Sequence, residues 1–532
     1  MTCLKLGPKR LMAFMAVVLS VMLSSRSVAQ TEIVLHDFTG GTDGIEPQGI
    51  TRDAAGNLFG ATRTTIFELS PNAGGGWIFQ TLFAFSNGEN GKGPNGGFTF
   101  DAQGNIYGTT WAGGKSTECK INGGCGVVFE LSPTSNGWVE SVLYRFKGQA
   151  DGFNPRGSLV FDTAGNLYGV TYNGGDIFCT LGRTTSGCGT VFELVPSAGE
   201  WKLTVLHSFS GGSDGAKPAG GLISDAAGNL YDATVFGGST SGQCYNQEGC
   251  GVVFRLARRN GKWIQDTLHT FTFDEDGAAP EAALTLDTAG NLYGTTYEGG
   301  GHSCGTVFEL SPTLSGVWRG TVIFAFDCVD GSLSGQLTFD STGNLYSATS
   351  QGGPYGNVCS PLGCGLVFKL SPGSGGNHWT ETVLYKFTGG SDGSLPAGGV
   401  ALDSAGNIYG ATVTGGTIAP GVVYEIVPRS RSFHWKGTPL QTRNLLHGAK
   451  DAMCRPDTDR RTICSCGFVA ESSGSQAYIT TDVNRRLHSS RIGRPGQVSV
   501  KAIFSSYRSL PHTNSTADFL ISVASFRSSM AR

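Results

Sequence analysis

The stretch Asp162-Thr163-Ala164-Gly165-Asn166-Leu167-Tyr168 is one of seven copies of a single unit. The pattern D-x-x-G-N-[LI]-[YF] begins at Asp53, Asp101, Asp162, Asp225, Asp287, Asp340 and Asp403, at spacings of 48, 61, 63, 62, 53 and 63 residues. Recurrence at such a period marks a repeat architecture. Each copy is followed by an aromatic-centred triplet, such as Phe192-Glu193-Leu194 or Tyr424-Glu425-Ile426. A tryptophan then follows every triplet, at Trp77, Trp138, Trp201, Trp263, Trp318, Trp379 and Trp435.

Working outward from the third copy, four short runs rich in β-branched and aromatic residues are bounded by Gly, Pro, Asn and Asp, the punctuation of strands and turns. They are 158–161, 166–171, 189–194 and 203–209, here called a, b, c and d. No helical period interrupts residues 31–426. Seven sets of four antiparallel strands predict an all-β, seven-bladed β-propeller, in which radial repetition leaves only short protected edges. Strand d ends at Phe85, Phe146, Phe209, Phe271, Phe326 and Phe387, but after Trp435 the pattern fails. The d-like run Ile33-Val34-Leu35-His36-Asp37-Phe38 stands instead before the first unit. The N-terminal strand is therefore expected to complete the seventh blade and close the ring, making 30–426 one domain.

Composition agrees with this reading. There are 82 glycines in 532 residues, about twice the usual ~7%, as numerous turns require. The net charge of -3 gives no electrostatic case for nucleic acid. Residues 1–29 read as a signal peptide, with Lys5, Lys9 and Arg10 before an apolar run over 11–23 and a small-x-small site at Ser27-Val28-Ala29. That run falls short of the ~20 residues needed to span a membrane, and no later one is longer. The expectation is a monomer that is secreted or held at the cell surface. Residues 427–532 carry sixteen Lys and Arg against six Asp and Glu, with many serines and no further unit. They are expected to be an irregular, poorly ordered basic extension.

The repeat [VL]-[LY]-x-F-x-G-G-x-D-G … D-x-x-G-N-L-Y-G-x-T … G-C-G-x-V-F-x-L resembles the GloVer tandem repeat of bacterial exported proteins of the choice-of-anchor type, over residues 33 to about 426. The resemblance implies a secreted or surface-attached repeat protein and brings no catalytic residues. It also implies a C-terminal anchor, and here the chain departs, because the tail shows no sorting motif.

The recurring polar residues read as turn chemistry. In D-x-x-G-N the Asp and Asn side chains suit a tight a-to-b hairpin and Gly supplies positive φ, which favours a turn over calcium ligation. Between strands d and a, Asp43, Asn90, Asp151, Asp214, Asp276, Asp330 and Asp392 each precede a Gly, with Pro47, Pro94, Pro155, Pro218, Pro280 and Pro396 three residues beyond six of these glycines. Turn chemistry explains these too. Two copies, around Ser213 and Ser391, match G-x-S-x-G without the strand-to-helix turn that a nucleophile elbow needs. No catalytic residue, metal or cofactor is expected.

The b-to-c loops vary most. Cys119 with Cys125, Cys179 with Cys188, Cys244 with Cys250 and Cys359 with Cys364 are local pairs, expected as disulfides in an oxidising compartment. Cys304 and Cys328 form a candidate fifth bridge; Cys454, Cys464 and Cys466 leave one thiol over. The b-to-c and d-to-a loops should share one face, and loops on a rigid scaffold are where recognition residues sit. Trp111, Tyr172, Phe236 and Tyr297, near Gly-Gly pairs at the roots of these loops, are candidates to stack on sugars or anchor a protein; their strand-terminal place equally fits caps on the blade cores. The reading is a non-enzymatic protein binding a glycan or extracellular protein through this braced face. Its rivals are a hydrolase or lyase using non-repeated acids such as Glu89, Asp176, Glu248, Glu281 or Glu298 in the channel, and a purely structural envelope component.

Overall fold

The computed structural model describes residues 30–428, apart from 87, 120–122, 176–178, 180–185, 241–243, 245–247, 354–358, 360, 361 and 374–377, and strands at 454–456, 462–472, 475–483 and 500–503. The leader 1–29 and Asp176 lie outside the described residues.

The chain to Ser430 forms a seven-bladed β-propeller of antiparallel blades. Blade 3 shows the order from axis to rim: strand a Phe153–Phe161, b Leu167–Asn173, c Thr190–Ser197 and d Glu200–Ser208. In blades 2, 4 and 6 strand a is broken into two segments that both pair with strand b. Blade 7 takes strands a, b and c from Ser394–Leu402, Ile408–Thr414 and Val422–Val427, and its outer strand is Thr31–Asp37. Thr31 stands opposite Val427 and Asp37 opposite Val422, so the two ends of the propeller sequence lock the ring.

Its core lies between blades. The phenylalanine after each outer strand inserts edge-on against the aromatic residue of strand c in the next blade: Phe146 on Phe192 at 5.3 Å, Phe209 on Phe254 at 5.1 Å, Phe387 on Tyr424 at 5.0 Å and, across the closure, Phe38 on Phe67 at 5.2 Å. Both members of each of these pairs are buried, and such a contact adds roughly 0.5–1.5 kcal/mol beyond the burial of the rings. The c-to-d pairing slips by one residue at the same place in every blade. The extra residue is always Leu or Ile: Leu35, Leu82, Leu143, Leu206, Leu268, Ile323 or Leu384. A bulge bends the strand and re-aims a side chain; here Leu143, Leu206 and Leu268 turn into the interblade clusters.

At the axis the inner strands touch. Ser158 bridges to Gly221 and Gln336 to Gly399. A Cβ at Gly220 would come within 2.6 Å of the Ala282 carbonyl oxygen, so the glycines after the recurrent prolines let neighbouring backbones meet.

Beyond Ser430 a second unit is described by itself. Its strands Cys454–Pro456, Thr462–Ser472, Ser475–Val483 and Val500–Ile503 form an antiparallel sheet, with Cys454 opposite Cys464 in register.

Candidate functional site

The a-to-b turns are built alike. Asp162 Oδ1 accepts the Asn166 backbone N–H at 2.9 Å, Oδ2 accepts the Asn166 side-chain amide at 2.8 Å, and Gly165 N–H closes the turn on the Asp162 carbonyl at 3.2 Å. The first strand-b tyrosine joins them, Tyr168 donating to Asp162 at 3.0 Å. These hydrogen bonds to the ionised form hold the Asp162 carboxyl below its usual range, although burial opposes them. The d-to-a turns use Asp as an acceptor in the same way. Asp214 takes the Ser210 N–H at 2.9 Å, the Ser210 hydroxyl at 2.5 Å and His207 Nε2 at 3.3 Å. His36 and His269 hold the same register and pair with Asp43 and Asp276. Tyr144 and Tyr385 replace them in two blades, donating to Asp151 and Asp392. Ser213 and Ser391, the elbow-like serines, lie in these turns.

The side of each blade away from the a-to-b turns, which the d-to-a turns share, carries the loops of interest. Five disulfides join Cys119 to Cys125, Cys179 to Cys188, Cys244 to Cys250, Cys304 to Cys328 and Cys359 to Cys364, with Cα separations of 5.0–5.6 Å. The Cys304–Cys328 bridge ties a b-to-c loop directly to a d-to-a loop, so both emerge on one face. A second link repeats. The carbonyl of the later cysteine accepts the N–H of the residue before the next blade's proline: Cys125 from Asn154, Cys188 from Lys217, Cys250 from Ala279 and Cys364 from Leu395, at 2.7–2.9 Å. Those four donors have φ of 53–60°, a left-handed conformation that costs a side-chain-bearing residue roughly 1–2 kcal/mol. The glycine after each of these cysteines leaves room for the proline ring: a Cβ at Gly126 would meet Pro155 Cδ at 2.6 Å. The recurring Pro and Cys-Gly are thus two halves of one interblade contact, where the sequence pattern suggested turn chemistry alone.

This contact organises the channel mouth in blades 2 to 5. The Asn154 side chain donates to the Trp111 carbonyl at 2.7 Å and accepts from Asn173 at 2.8 Å. Lys217 completes the chain, donating to Asn173, Ser186 and the Gly187 carbonyl. Lys217 is buried, and that burial brings its ammonium down to about 8.

Upon this support Trp111 and Tyr172 meet at 5.9 Å between ring centroids. The Arg156 guanidinium stacks on both, 5.2 Å from the Trp111 ring and 4.8 Å from that of Tyr172. Tyr297 is 43% exposed and, with Glu281, lines a central cavity of about 620 Å³ that also includes Gly157, Ser158, Gln48 and Gln336. Burial pushes the Tyr172 phenol up, Arg156 pulls it down, and Glu281 and Glu248 push it up again. Glu281 is reached by solvent yet enclosed by the mouth; this enclosure raises its carboxyl against the pull of Arg156. Glu298 is raised by burial and then by Glu281.

Of the four aromatic candidates, Trp111 and Tyr172 are in contact, and Tyr297 lines the central cavity with Glu281. Phe236 packs against the same buried cluster as Tyr172 but from a different position on its strand. Counting from the turn asparagine, Val235 is the counterpart of Tyr172, and Phe236 stands one residue on, packed against Ala219, Val235 and Ala279. Among the acids, Glu281, Glu298 and Glu248 gather here, while Glu89 pairs with Lys115. Sequence reading missed Arg156, Lys217, Asn154 and Asn173. A signal existed, since Asn154, Arg156 and Lys217 are variable residues flanking a recurring proline.

The Gloeobacter/Verrucomicrobia repeat family profile matches residues 23–178, 63–247 and 122–360. The chain belongs to this family. Among solved structures, a streptogramin B lyase is similar with TM-score 0.44 and 12% identity, covering 74% of this chain and 96% of that one. Virginiamycin B lyase from Staphylococcus aureus gives TM-score 0.43 and 11% identity, covering 75% and 99%; an ulvan lyase gives 0.37 and 12%, covering 61% and 82%. At such distances those names say nothing of what this chain does. No curated protein matches it in sequence.

Proposed function

We propose that this propeller is a non-enzymatic extracellular binding protein that takes a glycan at the mouth of its disulfide-braced face. The observation that carries the reading is the contact of Trp111, Arg156 and Tyr172 at the channel mouth, with Tyr297, at the same repeat position as Trp111 and Tyr172, exposed on the wall of the central cavity. Aromatic faces beside a polar cavity suit pyranose rings, which present apolar C–H faces and hydroxyl edges. Five disulfides fit an oxidising, extracellular setting, and among the described residues no helix is long and apolar enough to cross a membrane. The test is binding of the purified chain to a polysaccharide array under non-reducing conditions. Specific binding that falls with Trp111→Ala and Tyr172→Ala supports the reading; binding indifferent to both changes refutes it.

A second reading has one specific observation in its favour. Glu281, with a raised carboxyl, lines the cavity beside Tyr297 and near Glu298, as a hydrolase or lyase acid would. Turnover of any bound polysaccharide that disappears in Glu281→Gln would establish it.

A further inference from the structure

We propose that the mouth selects acidic saccharides, with Arg156 reading an oxyanion on a sugar ring that stacks on Tyr297. The inference rests on the glycan reading above and deepens it.

Arg156 is unlike its counterparts. The residues after the same turn in the other blades are Gln48, Asn95, Ala219, Glu281, Gly335 and Ala397, none of them cationic. Its guanidinium carbon lies over the rings of both Trp111 and Tyr172, yet among the described residues the guanidinium makes no hydrogen bond or ion pair with the protein. Contact with the ring faces uses none of its five N–H donors, which sit in a fixed fork. A planar fork of this kind matches a carboxylate or sulfate through two parallel bonds. Lys217, the other mouth cation, differs: its ammonium is spent on Asn173, Ser186 and Gly187. The one free cationic edge among these side chains is therefore that of Arg156.

No acid nearby occupies that edge among the described residues. Glu281 forms no ion pair with Arg156 there, and its carboxyl is raised by enclosure while Arg156 pulls it down. Arg156 directly precedes Gly157 and Ser158 of the cavity wall, and Glu281 and Tyr297 stand on the same wall. A pyranose on the exposed Tyr297 ring would thus lie in the cavity whose wall continues directly from Arg156. The Asn154–Asn173–Lys217 chain fixes the Trp111 backbone, so the stacking platform is ordered before ligand arrives, which spares the ligand that entropy cost.

The test is isothermal titration of the full chain, non-reduced, with three oligosaccharides of equal length: a galacturonan, a sulfated galactan and a neutral galactan. The expected result is at least tenfold tighter binding of one or both acidic ligands than of the neutral one, weakening as salt is raised. The preferred arm identifies carboxylate or sulfate as the anion. Arg156→Gln should remove the preference by weakening the acidic ligands at least tenfold more than the neutral one, Arg156→Lys should restore part of it, and Tyr297→Ala should weaken all three ligands. Unchanged unfolding midpoints of the variants show that the platform is intact. Equal binding of acidic and neutral ligands, or a preference that survives Arg156→Gln, overturns the acidic specificity while leaving the glycan reading standing. Binding of none of the three overturns both.

Discussion

Asp232 occupies a place where five blades have glycine, at Gly60, Gly108, Gly169, Gly294 and Gly410, and the sixth has Ser347. It is fully buried; Oδ2 accepts the Gly221 N–H at 3.3 Å, and Oδ1 has no hydrogen-bond partner among the described residues. Burial raises its carboxyl from 3.8 to about 7, against weak opposition from backbone N–H groups. The folded protein therefore holds a proton that the unfolded chain gives up near pH 4. Stability attached to this group is complete below pH 4 and is lost as pH rises through about 7. A difference of roughly three pH units is worth about 4 kcal/mol. Asp232→Asn keeps the shape and removes the titration. Urea unfolding followed by tryptophan fluorescence, at pH 5 and pH 8.5 without reductant, should show the variant gaining about 2.7 kcal/mol on the parent between the two values, the share lost from pH 5 to about 7. Glu32, Glu140 and Glu381, also raised to about 7, are common to both proteins and cancel in the comparison. Parallel stabilities at the two pH values would refute the reasoning and would mean that Asp232 has a partner such as an ordered water or cation.

Other predictions follow from the same packing. Tyr424 takes the place of a phenylalanine, and its hydroxyl is buried without a hydrogen-bond partner among the described residues; Tyr424→Phe should raise the unfolding free energy by about 1 kcal/mol, and a loss would show a hidden hydrogen bond. Phe38→Ala empties the aromatic pocket at the ring closure and should cost about 3–5 kcal/mol, read by the urea midpoint. The Cys304–Cys328 bridge spans 24 residues and Cys119–Cys125 only 6. The chain-entropy model assigns them about 3.5 and 2 kcal/mol, so the double serine variant of the first should be the less stable of the two in denaturant titration.

Strand number, blade number and ring closure were legible in the sequence. Each follows from a local pattern repeated in register: turn residues at fixed offsets, alternating apolar residues, and one d-like run left over at Ile33–Phe38. Cysteine pairing was legible too, because the pairs are close in the chain and the loops short. Contacts between blades were not. Pro155 needs Gly126 beside it, and Asn154 needs the Cys125 carbonyl, across a gap that no periodicity encodes. The same limit hid the candidate site. Trp111 comes from blade 2, Arg156 and Tyr172 from blade 3, and Glu281 and Tyr297 from blade 5; only the closed ring brings them together at its axis. A repeat can state in sequence what every blade shares, whereas a binding site depends on where the blades differ and on which differing residues the circle makes neighbours.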